Sequence, residues 1–335
     1  DFGSKMTVTQ VIQKEFDMSP EEFDRQFLAW LEPQVTKTVS NYDEWRKRIK
    51  VVSESAKAKK WDEVIKEGEA IRDFYADYVE LGSVYEFLAE AWIAKGDKAK
   101  AIKELEEAIK ETKSKKTRTR YSYILGQLYE KMGQEKEAYE AYAAVIDLHP
   151  ASYDMQFNAK LSRARLSAND PKSRSEAKKE MLKMLDDIKN DDFQDQIYYT
   201  LAQIEMGAKN EAAAMSYYQL SVNTSISNNK QKSLSYLALG DIYFDKTDYK
   251  NAQAYYDSTM RVLPSDYPTY SIIDEKRKSL TTLVGFIDLV SFQDSVQMIA
   301  KRFGKDTTKL YPYIDKLIAK AKEDDKKKQD AQNNA

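Results

Sequence analysis

Only one histidine, His149, and no cysteine occur among 335 residues, so any reaction that needs imidazole or thiolate has at most one residue to use. A zinc site of the H-E-x-x-H kind needs two histidines on one helix face. A Ser-His-Asp triad would have to recruit His149, and no G-x-S-x-G elbow accompanies it. His149 precedes Pro150 at the end of a helical run, where a histidine capping a helix C-terminus is the ordinary role. No P-loop and no G-x-G-x-x-G occurs. The carboxylate pairs Glu106-Glu107, Asp186-Asp187 and Asp191-Asp192 point in different directions on a helix, whereas glycoside hydrolysis needs two convergent acids. No catalytic, cofactor-binding or metal-binding residue is therefore assigned, no cofactor is expected, and the chain reads as a non-enzyme.

Charge narrows the partners. Lys plus Arg number 53 against 55 Asp plus Glu, a net charge of -2, which lacks the basic field that nucleic-acid binding uses. The sharpest local feature is the run KSKKTRTR, with Lys113, Lys115, Lys116, Arg118 and Arg120. One reading has it close one helix, where cations complement the dipole, and open the next. The sharper reading is a docking patch for an anionic partner segment.

The elements that must carry any site are helices: 10 glycines and 7 prolines are few for this length and charged residues reach 32%, so a nearly all-α chain is expected. Gly126 nevertheless sits inside the strongly helical run YILGQLYEKMGQEKEAYEAYAAVIDLHP, where glycine costs about 1 kcal/mol relative to alanine. A close approach by a second helix would offset that cost. The stretch recurs. Leu125, Gly126, Tyr129, Gly133, Ala138, Tyr142 and Pro150 align without gaps with Leu239, Gly240, Tyr243, Thr247, Ala252, Tyr256 and Pro264. A third copy is Leu88, Ala89, Trp92, Gly96, Ala101, Leu105 and Ala108. Weaker copies are Leu201, Ala202, Ala213 and Tyr217, a degenerate unit around Ala177 after the polar loop SANDPKSRS, and one around Val64. The anchors Val64, Ala101, Ala138, Ala177, Ala213 and Ala252 recur at a nearly constant spacing, close to the period of roughly 34 to 40 residues that helix-turn-helix repeats show. In each unit the small residue of the first helix is expected to face the small residue of the second, with the tyrosines filling the groove to the next unit.

The pattern L-G-x2-Y, then A-x3-F/Y, then P, resembles the tetratricopeptide repeat (TPR) family over residues 42–266. The resemblance implies an all-α, right-handed α-solenoid of about six helix-turn-helix repeats with helical caps, each unit burying its apolar face against neighbours. It also implies a concave groove lined by first-helix positions that face away from the second helix, and a protein partner, bound as a peptide or a helix, in that groove. The groove candidates are Glu86, Glu90, Arg120, Tyr123, Gln127, Tyr199, Gln203, Leu237 and Asp241, with Tyr123 and Tyr199 as the aromatic anchors. Tyr123 and Gln127 stand where carboxylate-clamp members of the family carry lysine and asparagine, so a chaperone tail is not the expected ligand.

Residues 1–41 are expected to form an N-terminal helical cap, because SPEEFDRQFLAWLE offers Ser19 as N-cap, Pro20 at the first helical position and Glu22 three residues on. Residues 267–303 are expected as capping or amphipathic helices and 304–335 as a charged, partly disordered tail. The N-terminal stretch of about 110 residues resembles the TPR regions that follow gluzincin-type peptidase domains. Residues 117–300 resemble the TPR outer-membrane lipoproteins of type IX secretion and gliding machinery, which implies a scaffold on the periplasmic side of a bacterial outer membrane, with any lipid anchor outside this sequence. The alternative is an accessory region of a larger enzyme such as a secreted metallopeptidase, or a cytoplasmic location. The apolar stretch LVGFIDLVSF is interrupted by Asp288, so no transmembrane helix is expected.

Overall fold

Five helical hairpins close through the same turn. The residue before the second helix's N-cap adopts a left-handed backbone: Lys59, Gly96, Gly133, Lys209 and Thr247, with φ of 55, 81, 72, 59 and 59°. The following amide then reaches back to the end of the first helix, from Lys60 to Ser55 at 2.9 Å, Asp97 to Trp92 at 3.0 Å, Gln134 to Tyr129 at 2.9 Å, Asn210 to Glu205 at 2.9 Å and Asp248 to Tyr243 at 3.0 Å. That bond satisfies carbonyls the first helix would leave open. Glycine fills the left-handed site without strain at Gly96 and Gly133. Lys59, Lys209 and Thr247 are held there by the turn itself.

The computed structural model describes Lys14 and residues 17–75, 81–147 and 152–333. The helix-capping role expected of His149, and Pro150 beside it, lie outside the described residues. The helices are α1 (Pro20–Lys57), α2 (Trp61–Tyr75), α3 (Gly82–Lys95), α4 (Lys98–Glu111), α5 (Lys115–Lys131), α6 (Glu135–Asp147), α7 (Tyr153–Leu166), α8 (Pro171–Leu185), α9 (Gln194–Gly207), α10 (Glu211–Thr224), α11 (Asn229–Asp245), α12 (Tyr249–Val262), α13 (Tyr270–Phe303) and α14 (Thr307–Asn333). No strand occurs among the described residues. The chain divides into two units, 1–167 and 168–335. The division falls in the polar loop before Pro171.

In the first unit each helix from α1 to α7 packs on its sequence neighbours, and the same holds from α8 to α14 in the second. The further contacts, of α1 with α3 and of α9 with α11, join the first helices of adjacent hairpins, as in a repeat array. The first unit's cores gather Val52, Val64, Ile71, Val84 and Leu88 at one end and Leu105, Tyr121, Tyr129, Tyr142 and Val145 at the other. The second unit's cores centre on Tyr218, Leu239 and Ile242, and on Ala252, Tyr256, Ile273 and Leu280.

Val64, Ala101, Ala138 and Ala252 are buried, each one turn into its helix from the residue that precedes it, and Ala177 is buried as well, though later in its helix. Two expected anchors shift. In the α9–α10 hairpin the buried residue is Ala214, not Ala213, and the buried tyrosine is Tyr218, not Tyr217. The N-cap Asn210 sets this frame. It gives Ala202 and Ala214 the same offset as Gly126 and Ala138 or Gly240 and Ala252. In the degenerate unit the N-cap is Asp170, which places Arg174 rather than Ala177 at the anchor position. Its guanidinium Nη1 donates to the carbonyls of Ala168 at 3.0 Å and Gly207 at 3.3 Å, and so takes the role that packing performs elsewhere.

The flanks differ from expectation. Ser19 does cap α1, its Oγ accepting from the Glu22 amide at 3.1 Å. The helix then runs unbroken through residue 41 and past Pro33, so the expected boundary there falls inside a helix. The tail expected to fray is α14, whose Lys, Ala, Glu and Gln residues are strong helix formers without needing a buried face. Finally, α13 is a single helix of 34 residues that by length and composition could cross a membrane, because apolar residues continue on both sides of Asp288.

Candidate protein-binding surface

In two hairpins the close packing of the first helix on the second begins with a glycine and a ring. A Cβ on Gly126 would lie 2.8 Å from Cε1 of Tyr142, and one on Gly240 3.2 Å from Cδ2 of Tyr256. The partner of each glycine is therefore the second helix's tyrosine, not its alanine as the spacing suggested. The rings of Tyr142 and Tyr256 are fully buried and also reach the next helix, Tyr142 meeting Ser162 of α7 and Tyr256 meeting Lys276, Ile273 and Leu280 of α13. Desolvation raises the pKa of both phenols, so both stay protonated donors. Tyr142 donates to Glu130 at 3.1 Å and Tyr256 donates to Asp241.

Three residues before each small residue lies a candidate groove position: Glu86, Tyr123, Tyr199 and Leu237. In the first unit Tyr123 meets Tyr142 edge-on, centroids 5.8 Å apart at 62°. In the second, Tyr199 meets Tyr218 at 5.3 Å and 61°. The two half-buried tyrosines thus occupy the same place in two hairpins, each braced by a buried ring. Each has an amide one turn on, Gln127 and Gln203. Gln127 is exposed and hydrogen-bonds the Tyr123 side chain, while burial pushes the Tyr123 phenol up. Gln127 also opens onto a cleft of about 350 Å³ with Glu130, Lys131, Tyr142, Ser162 and Arg165, in which Arg165 pairs with Glu130.

The charged candidates are tied more closely into the chain. Arg120 pairs with Glu86 at 3.6 Å across α3 and α5, and Glu86 also hydrogen-bonds Tyr121, while Glu90 is exposed on α3. Leu237 packs against the core around Tyr256. Asp241 accepts from both Tyr256 and Lys276 Nζ, the latter at 2.9 Å, and Lys276 also stands over the rings of Phe244 and Tyr256 at 4.4 and 4.8 Å. Asp241 is thus a clamp fastening α13 to its hairpin rather than a free groove carboxylate. Lys276 carried no sequence signal beyond being one lysine among many.

The basic run is also partly absorbed. Arg118 turns inward and donates from Nη2 to the Thr112 carbonyl at 2.8 Å, at the end of α4, while Arg120 serves Glu86. Lys115 and Lys116 remain exposed on the first turn of α5. Lys113 lines a polar cleft of about 400 Å³ with Ser83, Glu86, Glu111, Ser114 and Tyr121, where two carboxylates oppose it. Among the described residues no group of three or more His, Cys, Asp or Glu is placed to hold a metal ion.

The tetratricopeptide-repeat family profile matches residues 121–152, and a second profile of that description matches 234–258. Among solved structures, a tetratricopeptide repeat protein from Parabacteroides merdae is 14% identical, over 81% of this chain and 97% of that one, with a TM-score of 0.46. MamA from Desulfovibrio magneticus is 16% identical, over 55% and 96%, with a TM-score of 0.39. The TPR2AB domain of yeast Sti1, in complex with a pHSP90 peptide by its description, is 16% identical, over 71% and 99%, with a TM-score of 0.30. No curated protein sequence matches the chain. The hairpin built on Gly126 and Tyr142 and the one built on Gly240 and Tyr256 are tetratricopeptide repeats, and the chain is an all-α protein that carries them.

Proposed function

We propose that the chain is a protein-interaction scaffold that holds an extended peptide or a helix along the first-helix faces of its hairpins, within a bacterial envelope secretion complex on the periplasmic side of the outer membrane. The observation that carries the binding reading is the repeated pair Tyr123/Gln127 and Tyr199/Gln203. Each places a braced, half-buried aromatic beside an amide, at the same offset from the hairpin's small residue. An aromatic that cannot collapse inward loses little entropy on binding, and an amide offers both a donor and an acceptor to a peptide backbone. The envelope setting is supported by the resemblance of residues 117–300 to secretion-machinery lipoproteins.

Crosslinking mass spectrometry of the native complex tests the proposal. Protein partners should crosslink on the faces of α5 and α9, and Tyr123→Ala with Tyr199→Ala should weaken capture by about tenfold or more, a loss of about 1.4 kcal/mol. Recovery of no stable protein partner, or capture unchanged in a double variant of unchanged helicity, would overturn it. Fractionation with the outer membrane tests the location separately.

A further inference from the structure

α13 is apolar on several sides: its hairpin covers one, Leu283, Ile287, Val290 and Met298 form an exposed stripe interrupted by Asp294, and an uncharged stripe lies opposite the covered side. Its first half buries Ile273, Leu280 and Val284 in the second unit's core, and Lys250 of α12 pairs with Asp288. On a helix turning about 100° per residue, Phe286, Leu289, Phe292 and Val296 fall within roughly 120° of arc on the opposite side. These four are 62, 52, 66 and 48% exposed. A helix that is apolar on two sides is stable in water only when both are covered. Gly285 adds to this. Nothing lies within 4 Å of a Cβ built on it, whereas Gly126 and Gly240 each receive a ring.

A bilayer does not fit the face. Once Val284 is buried, the rest of α13, from Gly285 to Phe303, carries Asp288, Asp294, Lys301 and Arg302. Each aspartate near a bilayer centre costs about 2.5 to 3.5 kcal/mol, and an interfacial helix would carry lysine and arginine along its flank. Here no lysine or arginine lies between Lys278 and Lys301. A second copy fits better, because the face is self-complementary. Placed antiparallel about a two-fold axis at Leu289, it sets Leu289 on Leu289, Phe286 against Phe292, Thr282 against Val296 and Gly285 against Gln293. Neither Asp288 nor Asp294 lies on it, so no buried charge results.

We propose that α13 pairs antiparallel with α13 of a second copy through Phe286, Leu289, Phe292 and Val296, making the protein a two-fold dimer. Because the chain has no cysteine, Leu289→Cys places a single thiol at the axis. Mild oxidation should convert this variant to a covalent dimer, whereas Asp294→Cys, off the face, should stay monomeric on a reducing-agent-free gel. Sedimentation of the full chain should give a dimer that Leu289→Lys weakens at least tenfold at unchanged helicity. A monomer at every concentration, equal crosslinking of the two cysteine variants, or binding of the unaltered chain to phosphatidylcholine vesicles that Leu289→Lys abolishes would overturn the proposal.

Discussion

The ring of Tyr142, carried on the second helix of the hairpin, lies where a side chain on Gly126 of the first would have to stand, 2.8 Å from the nearest ring carbon. The same sequence offset joins Gly240 to Tyr256, with the looser approach of 3.2 Å. The glycine's conformational cost is thus offset by a buried ring that hydrogen-bonds through its hydroxyl.

Gly126→Ala is therefore expected to lower stability, by about 1 to 3 kcal/mol, because the ring's inner edge and not a flexible tip blocks the new methyl. Gly240→Ala is expected to lower it less, since its looser approach to the Tyr256 ring needs only a small shift. Urea unfolding of both variants checks this. Equal stability of Gly126→Ala and the unaltered chain would refute the steric account.

Asp241→Ala should remove two interactions of unequal weight. The ion pair with Lys276 is half exposed, at 38 and 49% of the two side chains, and contributes about 0 to 1 kcal/mol. The Tyr256 hydroxyl is the larger loss, since a buried donor left without its acceptor costs about 1 to 3 kcal/mol. Lys276→Met should consequently be milder than Asp241→Ala, and hydrogen exchange in α13 should rise in both. If Lys276→Met proved the more damaging, the ion pair rather than the hydroxyl would be the fastener.

Thr247 is a β-branched residue at φ 59° in the turn between α11 and α12. A left-handed conformation costs an L-residue about 1 to 2 kcal/mol, more than the entropy glycine forfeits. Thr247→Gly should accordingly raise the melting temperature, by an amount equivalent to about 0.5 to 1 kcal/mol. Gly133→Thr, the reverse change at the equivalent turn, should lower it. Calorimetry on the pair gives the sign of both.

Where sterics set the spacing, as at Gly126 and Ala138, the repeats were legible from residue types alone, because only small residues at fixed intervals permit the close hairpin. The consecutive alanines 212–214 offered several registers, and the Asn210 cap, whose side-chain oxygen accepts from the Ala213 amide, selected Ala214. Arg174 was hidden for a different reason: an arginine at a small-residue position reads as a broken repeat until its bonds to the Ala168 and Gly207 carbonyls are seen. The positions of Tyr123 and Tyr199 followed from the repeat, but their bracing against Tyr142 and Tyr218 did not, since it depends on rotamers. The helicity of α14 escaped because pattern-reading looks for a buried stripe, and α14 needs only helix-forming residues.

The last prediction concerns Asp195, 2% exposed at the start of α9. Its carboxylate accepts from Ser225 Oγ at 2.9 Å and from the Gln196 amide at 2.8 Å, and its carbonyl accepts from Ser221 Oγ at 2.7 Å. Lys232 lies nearby but gives its ammonium to the Ser225 carbonyl at 3.2 Å. Among the described residues no cation pairs with the acid, and burial, opposed by the hydrogen bonds from Ser225, Gln196 and Asn228, leaves its pKa raised. A carboxyl whose folded pKa exceeds its unfolded one binds its proton more tightly in the folded chain. Its contribution to stability is present at low pH and is lost as pH rises from the ordinary aspartate range through the raised value. The unfolding free energy of the unaltered chain, taken relative to Asp195→Asn, should therefore fall as pH increases across that window and level off above it. Urea titrations of both chains at a series of pH values measure the difference directly. A difference that rose with pH would mean that the hydroxyl and amide donors, rather than burial, dominate at Asp195.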